Sequence, residues 1–238
     1  SVSRYETGWV VDSQPKWRQG IGNDWEVPPS GRALPDHPVV QVSWFDVMAF
    51  AHWLSEKTGI VFRPPTKDEW LFAAYPPSLN GQQVCFTWGN DINEAPKRAN
   101  FGTRELTDYS WIHEQFSDGH RLTSPVKAYP PNERELYDMS GNIWSWCFQR
   151  QLYEAGRRAG DDGKGSGERR RVSVPALESL ALGENPHMAM QGGCYLARVP
   201  HISLYAKMSH PALDGAEDIG IRLVAVRVVD SGMHALVR

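Results

Sequence analysis

The sequence has 238 residues, of which 41% are hydrophobic and 11% aromatic, enough to enclose a sizeable core. Its formal net charge of −3 gives no general attraction to nucleic acid or to an anionic membrane, and neither is expected as a partner. There is no run of about 18 apolar residues and no basic-then-apolar leader. We therefore expect a soluble protein, cytoplasmic rather than secreted, although the start at Ser1 also fits the loss of an upstream leader or domain.

Cysteine and histidine spacing argues against a transition-metal site. The three cysteines, Cys85, Cys147 and Cys194, lie far apart and form no C-x-x-C pair, so neither a disulfide framework nor a structural zinc site is predicted. The eight histidines show no H-E-x-x-H spacing or comparable ligand pattern.

The first predicted helix covers residues 43–58. Ser43 is a suitable N-cap, and Asp46 three positions later makes an acidic variant of the capping box. Apolar residues then recur at helical spacing, and Gly59 supplies a stop. The stripe consists of Val47, Phe50, Ala51 and Leu54.

A second helix is predicted over residues 66–75. Thr66 and Glu69 form a capping box, and Pro76 ends the helix because proline cannot continue it. Elsewhere the alternating apolar residues of 222–228 predict a strand, and Cys85 is interpreted as a strand residue. The many tryptophans, glycines and prolines favour irregular loops around these few elements.

Residues 150–186 differ in composition from the rest of the chain. Five glycines are interleaved with charges between Gly156 and Gly167, which is typical of a flexible insertion. The basic triplet Arg169–Arg171 within it has two interpretations, a solvated loop or a contact for an acidic partner or phosphate.

Several sequence blocks form an ordered series along most of the chain: His37–Asp46, Phe62–Trp70, Trp88–Asn90, Ala99–Phe101, Ser124–Val126, Pro131–Asn132 and Leu136–Trp146. In these blocks and their order the sequence resembles the formylglycine-generating enzyme, or sulfatase-modifying factor, family. The resemblance implies one α+β domain over residues 1–238, in the formylglycine-generating-enzyme variant of the C-type lectin fold. Within the last block, Gly141 and Asn142 predict a turn, and Trp144 and Trp146 a strand entering the core.

Members of that family oxidise a cysteine of a substrate peptide to formylglycine, using molecular oxygen and copper held by two cysteines. Matching Gly192–Leu196 to the family pattern places Ala197 and Ile202 where those cysteines would stand. Because Cu(I) requires soft thiolates, we expect no copper, no catalytic residue of this kind and no formylglycine generation. Cys194 and Cys147 are interpreted as small buried residues in preference to reactive thiols.

The family resemblance also implies a calcium site. Its ligands are an asparagine side chain, the next carbonyl, an aspartate side chain and a carbonyl two residues later, matched here by Asn100, Phe101, Asp118 and His120. Asp108 competes with Asp118 for this role. A second family site at the Gly141–Trp146 turn is expected to be absent, because Ser145 replaces its glutamate.

The C-terminal segment 194–218 is expected to line an exposed cleft. Tyrosine and histidine offer rigid contact area with a polar tip, which is typical of recognition surfaces. We predict that the cleft binds a protein or small-molecule ligand without catalysis, as in the variable proteins of diversity-generating retroelements, which share this fold. The predicted ligand-binding residues are Tyr195, Arg198, His201, Ser203, Tyr205, Lys207 and His210.

Two alternatives stay open. The first is a cysteine-independent oxidase or tailoring enzyme of the same superfamily. In it, His201 and His210, with Tyr195 or Tyr205, would hold a metal or act as general acid and base. The second is a regulatory subunit of a larger assembly, with residues 150–186 ordering on a partner.

Overall fold

The computed structural model describes residues 7–11, 17–21, 26, 34–107, 109–110, 112, 115–148 and 185–226. Asp108, Arg169–Arg171 and nearly all of the predicted insertion at 150–186 therefore lie outside the described residues. Within the described ranges, no helix has both the length and the apolar character needed to cross a membrane.

The first long helix, α1, spans Trp44–Thr58 and begins as predicted. The Ser43 hydroxyl accepts a hydrogen bond from the Asp46 amide at 3.2 Å, and the Asp46 carboxylate accepts one from the Ser43 amide at 2.9 Å. Gly59 ends the helix in the left-handed conformation, and its amide donates to the Ser55 carbonyl. The helix buries Trp44, Val47 and Ala51.

The second helix, α2, spans Lys67–Ala74, and its predicted capping box between Thr66 and Glu69 is present. Arg63 adds two hydrogen bonds to the Glu69 carboxylate, at 2.7 and 2.6 Å. Chiefly through this pairing the pKa of Glu69 falls to about 2. Both helix predictions are confirmed.

The described strands form three small sheets. In one, β1 (Thr7–Val11) pairs with β2 (Trp17–Ile21) and β7 (Gly215–Ala216), and in another β3 (Val61–Arg63) pairs with β9 (Val224–Val226). The largest has the order β6 (Met208–Pro211), β5 (His187–Gln191), β4 (Trp144–Cys147), β8 (Ile219–Gly220). The predicted strand at 222–228 is thus present over 224–226, and residues 227–228 lie outside the described part.

Two acidic residues join two of these sheets. Only Glu217 and Asp218 separate β7 from β8. The Asp218 carbonyl accepts a hydrogen bond from the Trp144 amide at 2.7 Å, so the connection is fixed to β4 at its start. Both side chains are buried, at 7% and 6% exposure.

Aromatic residues from α1 and β4 meet at the centre of the main core. Trp44 contacts Trp146 and Phe148 edge-on, with ring centroids 6.2 and 4.8 Å apart. The Trp146 Nε1–H donates to the Val42 carbonyl at 2.9 Å, which satisfies its buried polar atom. This packing confirms that the tryptophans of the last sequence block carry the scaffold.

The turn at Gly141 agrees with the sequence prediction, and the conformation at Cys85 does not. Gly141 and Asn142 adopt φ values of 75° and 65°, as expected for a turn that needs left-handed backbone. Cys85, however, is wrongly predicted as a strand residue: it lies in an exposed bend, where its amide donates to the Asn90 side chain at 2.7 Å. A tight turn from Phe86 to Gly89 begins there and interrupts extended pairing.

Candidate functional site

The double glycine at 192–193 allows two backbone segments to approach closely. Gly193 has φ of 80°, and a Cβ atom at this position would lie 2.6 Å from the His201 carbonyl oxygen and 2.8 Å from the Ile202 Cγ2 atom. Only glycine therefore fits. The turn folds residues 194–202 back over it, and the segment is held so that Ile202 faces the glycine.

The positions matched to the copper cysteines are filled by apolar core residues. Ala197 is 6% exposed and Ile202 is 1% exposed, and both belong to the main hydrophobic cluster. The Ala197 carbonyl accepts a hydrogen bond from the Gly102 amide at 2.8 Å. Neither side chain can donate electrons to a metal, so the residues present do not fit a copper ion.

Cys194 lies beside these positions and is also buried, at 2% exposure. Its thiol hydrogen-bonds to the Asp218 carboxylate, and burial together with this negative charge raises the pKa of Cys194 well above its usual range. The residue is therefore a protonated thiol at neutral pH, not a thiolate nucleophile or metal ligand. Its expected burial, and that of Cys147, are confirmed.

Sequence reasoning missed the acidic side of this arrangement. Burial raises the pKa of Asp218 to about 6, although its hydrogen bond with Cys194 acts in the opposite direction. Burial raises the pKa of Tyr195 well above its usual range, and the charges of Glu217 and Asp218 add to this effect. In the sequence, Glu217 and Asp218 lie beside glycines and resemble an ordinary polar loop. Their burial becomes apparent only from the short connection between β7 and β8.

The predicted ligand-binding residues fall into three groups. Tyr195 is 1% exposed and packs in the main hydrophobic cluster, so the expectation that it lines an exposed cleft is wrong. Ser203 and His210 are half-buried. The exposed residues are Arg198, His201, Tyr205 and Lys207.

Buried neighbours hold the exposed group in place. A 3-10 helix spans Val199–Ile202, and its two end residues are buried while His201 between them faces solvent. The next anchor is the Leu204 amide, which donates to the Cys85 carbonyl at 2.8 Å. Tyr205 follows directly and is 49% exposed. The surface side chains thus project from a backbone tied down at both ends.

His210 has a different environment from His201. Its ring lies 6.0 Å from the Trp146 ring, and burial lowers the pKa of His210 to about 4. The imidazole is therefore neutral at physiological pH. Within the described residues, no three histidine, cysteine or acidic side chains come together in a group that could hold a metal ion.

The structure brings the predicted calcium ligands together from two loops. The Asp118 carboxylate accepts hydrogen bonds from the Phe101 amide at 2.8 Å and the His120 amide at 3.0 Å. Thr103 donates to the same carboxylate at 3.1 Å. Asp118 thereby fixes residues 100–101 next to residues 118–120, and its burial raises the pKa of the carboxyl.

The oxygen atoms that these loops offer are of the type that a hard cation binds. Asn100 Oδ1 is buried and accepts no hydrogen bond from a described residue. No donor among the described residues reaches the carbonyls of Phe101 and His120 either. Buried oxygens normally have a partner, and Ca²⁺ prefers such neutral oxygens combined with a carboxylate.

The second family position at the Gly-Asn turn is organised differently. Asn142 Oδ1 accepts hydrogen bonds from the Ser124 amide at 2.9 Å and from Asn100 Nδ2 at 3.4 Å, and its own amide donates to the Ser124 carbonyl. This side chain is engaged in holding Asn100. The expected absence of a calcium ion here stays a prediction.

Curated proteins with similar sequences are mainly formylglycine-generating enzymes. That of Thermomonospora curvata is 35% identical over 144 residues, 58% of this chain and 43% of the relative. That of Streptomyces coelicolor is 28% identical over 93% of this chain and 64% of the relative. The inactive Cα-formylglycine-generating enzyme 2 of Bos taurus is 36% identical over 58% of this chain and 40% of its own length. The chain thus spans less than two thirds of these relatives.

Solved structures show the same fold. PvdO from Pseudomonas aeruginosa superimposes with a TM-score of 0.58 at 24% identity, over 87% of this chain and 67% of that one. Treponema denticola variable protein 1 gives 0.55 at 17% identity, over 92% and 90%. The profile of the sulfatase-modifying factor enzyme 1-like domain matches residues 2–227. On this evidence the chain belongs to the sulfatase-modifying factor enzyme 1-like family.

Proposed function

We propose that this protein is a non-catalytic binding domain on the formylglycine-generating-enzyme scaffold, and that it binds its ligand through segment 194–218. One observation carries the proposal: Ala197 and Ile202, the residues matched to the family's two copper cysteines, are buried apolar side chains. Two thiolates are the minimum that the family chemistry needs in this segment. Without the two thiolates, the scaffold keeps its binding surface but has no copper ligands in this segment.

The remaining thiols support the same proposal. Cys194 is buried and protonated, and burial raises the pKa of Cys147 to about 12. Cys85 is exposed but lies in the bend that precedes the Phe86–Gly89 turn. No pair of described cysteines therefore offers two thiolates to one ion.

The exposed surface of the segment supports a binding role. Arg198, His201, Tyr205 and Lys207 are exposed on a backbone that buried neighbours fix, which lowers the entropy lost on binding. Tyrosine and arginine are enriched at the energetically dominant positions of protein interfaces. Tyr195 is excluded from this surface by its burial.

A variable protein of the retroelement type is one specific form of this function. The fold shared with Treponema denticola variable protein 1 supports it at the level of architecture alone. The direct test is genomic: a template repeat and a reverse-transcriptase gene beside the coding region would support this form, and their absence would oppose it.

We propose in addition that Ca²⁺ binds at the two loops, held by the Asn100 and Asp118 side chains and the carbonyls of Phe101 and His120. The unpaired Asn100 Oδ1 supports this assignment. A bound cation would neutralise Asp118 and crosslink the loops, so its role would be structural.

Copper loading and peptide oxidation test the non-catalytic proposal. The purified protein and the Streptomyces coelicolor enzyme, as positive control, are treated with Cu(I) and a cysteine-containing peptide, and the products are read by mass spectrometry. We expect less than stoichiometric copper and no oxidised peptide from this protein. Stoichiometric copper or turnover would contradict the proposal.

A double variant provides a matched gain-of-function control. Replacing both apolar residues, as Ala197→Cys with Ile202→Cys, restores two thiols, and cysteine is smaller than the isoleucine that packs on Gly193. We expect this variant to bind about one Cu(I) per chain in the same assay. Failure to gain copper in a folded double variant would show that these positions are not the missing ligands.

A further inference from the structure

Among the described strands, β6 lies at an edge of the largest sheet. The order β6-β5-β4-β8 places β6 at one end, paired on one side with β5. Met208 and Ser209 are exposed along it. An edge strand presents unpaired backbone groups and can accept a further strand.

The strand register shows which backbone groups face outward. The Ala212 amide donates to the Pro186 carbonyl at 2.8 Å, which makes Pro186 and Ala212 a hydrogen-bonded pair. Hydrogen-bonded and non-hydrogen-bonded pairs alternate in an antiparallel ladder. The pair Ala189 and Ser209 is therefore non-hydrogen-bonded, so the amide and carbonyl of Ser209 point away from β5.

These outward groups have no partner among the described residues. The only hydrogen bond of Ser209 outside the ladder is that of its hydroxyl to His187, and the Lys207 backbone makes none. At the far end of the strand, the Pro211 carbonyl is already used, since it accepts the Asp214 amide at 3.2 Å. The available edge is thus centred on Ser209.

The segment that contains β6 is free of acidic residues over a long stretch of sequence. The chain contains 28 acidic residues, yet none occurs in the sequence between Glu184 and Asp214. Arg198 and Lys207 in this interval are exposed and form no ion pair with a described residue. Lys207 directly precedes β6 and favours an acidic partner there, whereas Asp214 lies at the other end of the strand, where the Pro211 carbonyl already accepts a hydrogen bond.

We propose that β6 binds an extended acidic segment of a partner protein, which adds to the sheet as a further strand beside Ser209. This deepens the proposed binding function and rests on it. Backbone hydrogen bonds to Ser209 supply sequence-tolerant affinity, as in other cases of strand addition. Lys207, which directly precedes β6, supplies the preference for carboxylates. A lysine and a proline also discourage edge pairing, but Pro211 lies beyond the free edge at Ser209.

Synthetic peptides test the strand geometry without altering the protein. The probe is a fluorescein-labelled octapeptide of alternating threonine and glutamate, with a threonine-lysine octapeptide as charge control. Two further versions carry backbone N-methyl groups on all threonines or on all glutamates, so that one version blocks the paired edge of the peptide and the other its outer edge. We expect fluorescence anisotropy to show binding of the acidic peptide, no binding of the basic one, and at least about tenfold weaker binding of one N-methylated version.

Protein variants locate the site. Ser209→Pro removes an outward amide that makes no ladder bond, and we expect it to weaken binding at least about tenfold. Ser209→Ala, which keeps the backbone amide, should bind within about twofold of the parent. Lys207→Glu should weaken binding about tenfold, whereas the same charge reversal at exposed Lys57 should not. Amide exchange at Ser209 should slow when the peptide is bound.

Defined results would overturn the proposal. They are absence of acidic-peptide binding at millimolar concentration, equal binding of both N-methylated peptides, or unchanged Ser209 amide exchange in the complex. A dimer that Ser209→Pro dissociates in light scattering would assign the edge to a second copy instead. The proposed non-catalytic function has a different test. Stoichiometric copper binding or peptide oxidation would refute it, and the binding assay with the acidic peptide measures neither.

Discussion

The loops at residues 100–120 and the segment at 194–218 both match metal positions that the family resemblance implies, and the two regions differ in the atoms that they offer. In the loops, half of the candidate ligand atoms are backbone carbonyls, and Asn100 and Asp118 persist. In the C-terminal segment, the matched positions depend on two side chains, and those of Ala197 and Ile202 are apolar. A site that uses backbone oxygens depends on fold, whereas a site of two thiolates depends on two residues.

Both regions also contain a left-handed glycine, which allows a direct comparison. Gly193 has φ of 80° and no room for a Cβ atom, while Gly119 has φ of 84° and no atom within 4 Å of that position. We expect Gly193→Ala to cost about 4 kcal/mol, through backbone strain and overpacking. Gly119→Ala should cost about 1 kcal/mol, from strain alone.

Urea unfolding of the two glycine variants measures the difference. Equal losses of unfolding free energy would mean that the segment over Gly193 relaxes freely, and the tight packing of Ile202 against the glycine would then be wrong. If Gly193→Ala does not fold at 25 °C while Gly119→Ala does, the expected order of the two losses is upheld.

The buried acid of the C-terminal segment predicts an unusual pH dependence. Burial raises the pKa of Asp218 from 3.8 to about 6, so the folded state binds this proton more tightly than the unfolded state. The resulting stabilisation is complete below the unfolded pKa and is lost as pH rises through 6. At pH 7.5 the buried charge therefore costs about 3 kcal/mol relative to the protonated form.

Asp218→Asn removes the ionisation and keeps a polar side chain of similar size. We expect the variant to be more stable than the parent at pH 7.5 by about 2 to 3 kcal/mol, and the advantage to vanish near pH 4. Chemical denaturation at both pH values measures it, and the difference between the two proteins removes the other titrating groups. A difference that does not change with pH would contradict the raised pKa.

Calcium addition tests the loops. At a concentration 100 times Kd, Ca²⁺ should raise the free energy of unfolding by about 2.7 kcal/mol, measured by denaturation with Ca²⁺ and with a chelator. Asp118→Asn should abolish the increase. Asp108→Asn serves as the matched variant and should retain it, which decides between the two aspartates. A full calcium response in Asp118→Asn would mean that the ligand set is wrong.

Local signals predicted the parts of the fold that short-range interactions determine. The two helices follow from capping boxes whose hydrogen bonds span three residues, and the turn at Gly141 and Asn142 follows from backbone sterics. Cys85 was misjudged because a tight turn ended the apolar run. Such turns override the weak strand preference of a few residues.

The candidate site was less accessible to sequence reasoning because it depends on long-range packing. Tyr195 looked like a surface tyrosine, but the turn at Gly193 directs it into the core. The sequence around Glu217 and Asp218 has no pattern that predicts their burial, because the strands that surround them lie far apart in sequence. In contrast, the sequence alone shows that Ala197 and Ile202 are apolar. Once the two positions are matched to the family pattern, no information about packing is required.

The hydrogen bond between Leu204 and Cys85 has a practical consequence. Cys85 is the exposed cysteine among the three, whereas Cys147 and Cys194 are buried. A thiol-reactive fluorophore should therefore attach at Cys85 alone in the native protein. The Cys85 carbonyl accepts a hydrogen bond from the amide of Leu204, the residue before Tyr205. A dye on Cys85 would therefore lie close to the exposed surface at Tyr205, and its emission should change when a ligand binds there. No substitution in the chain is required.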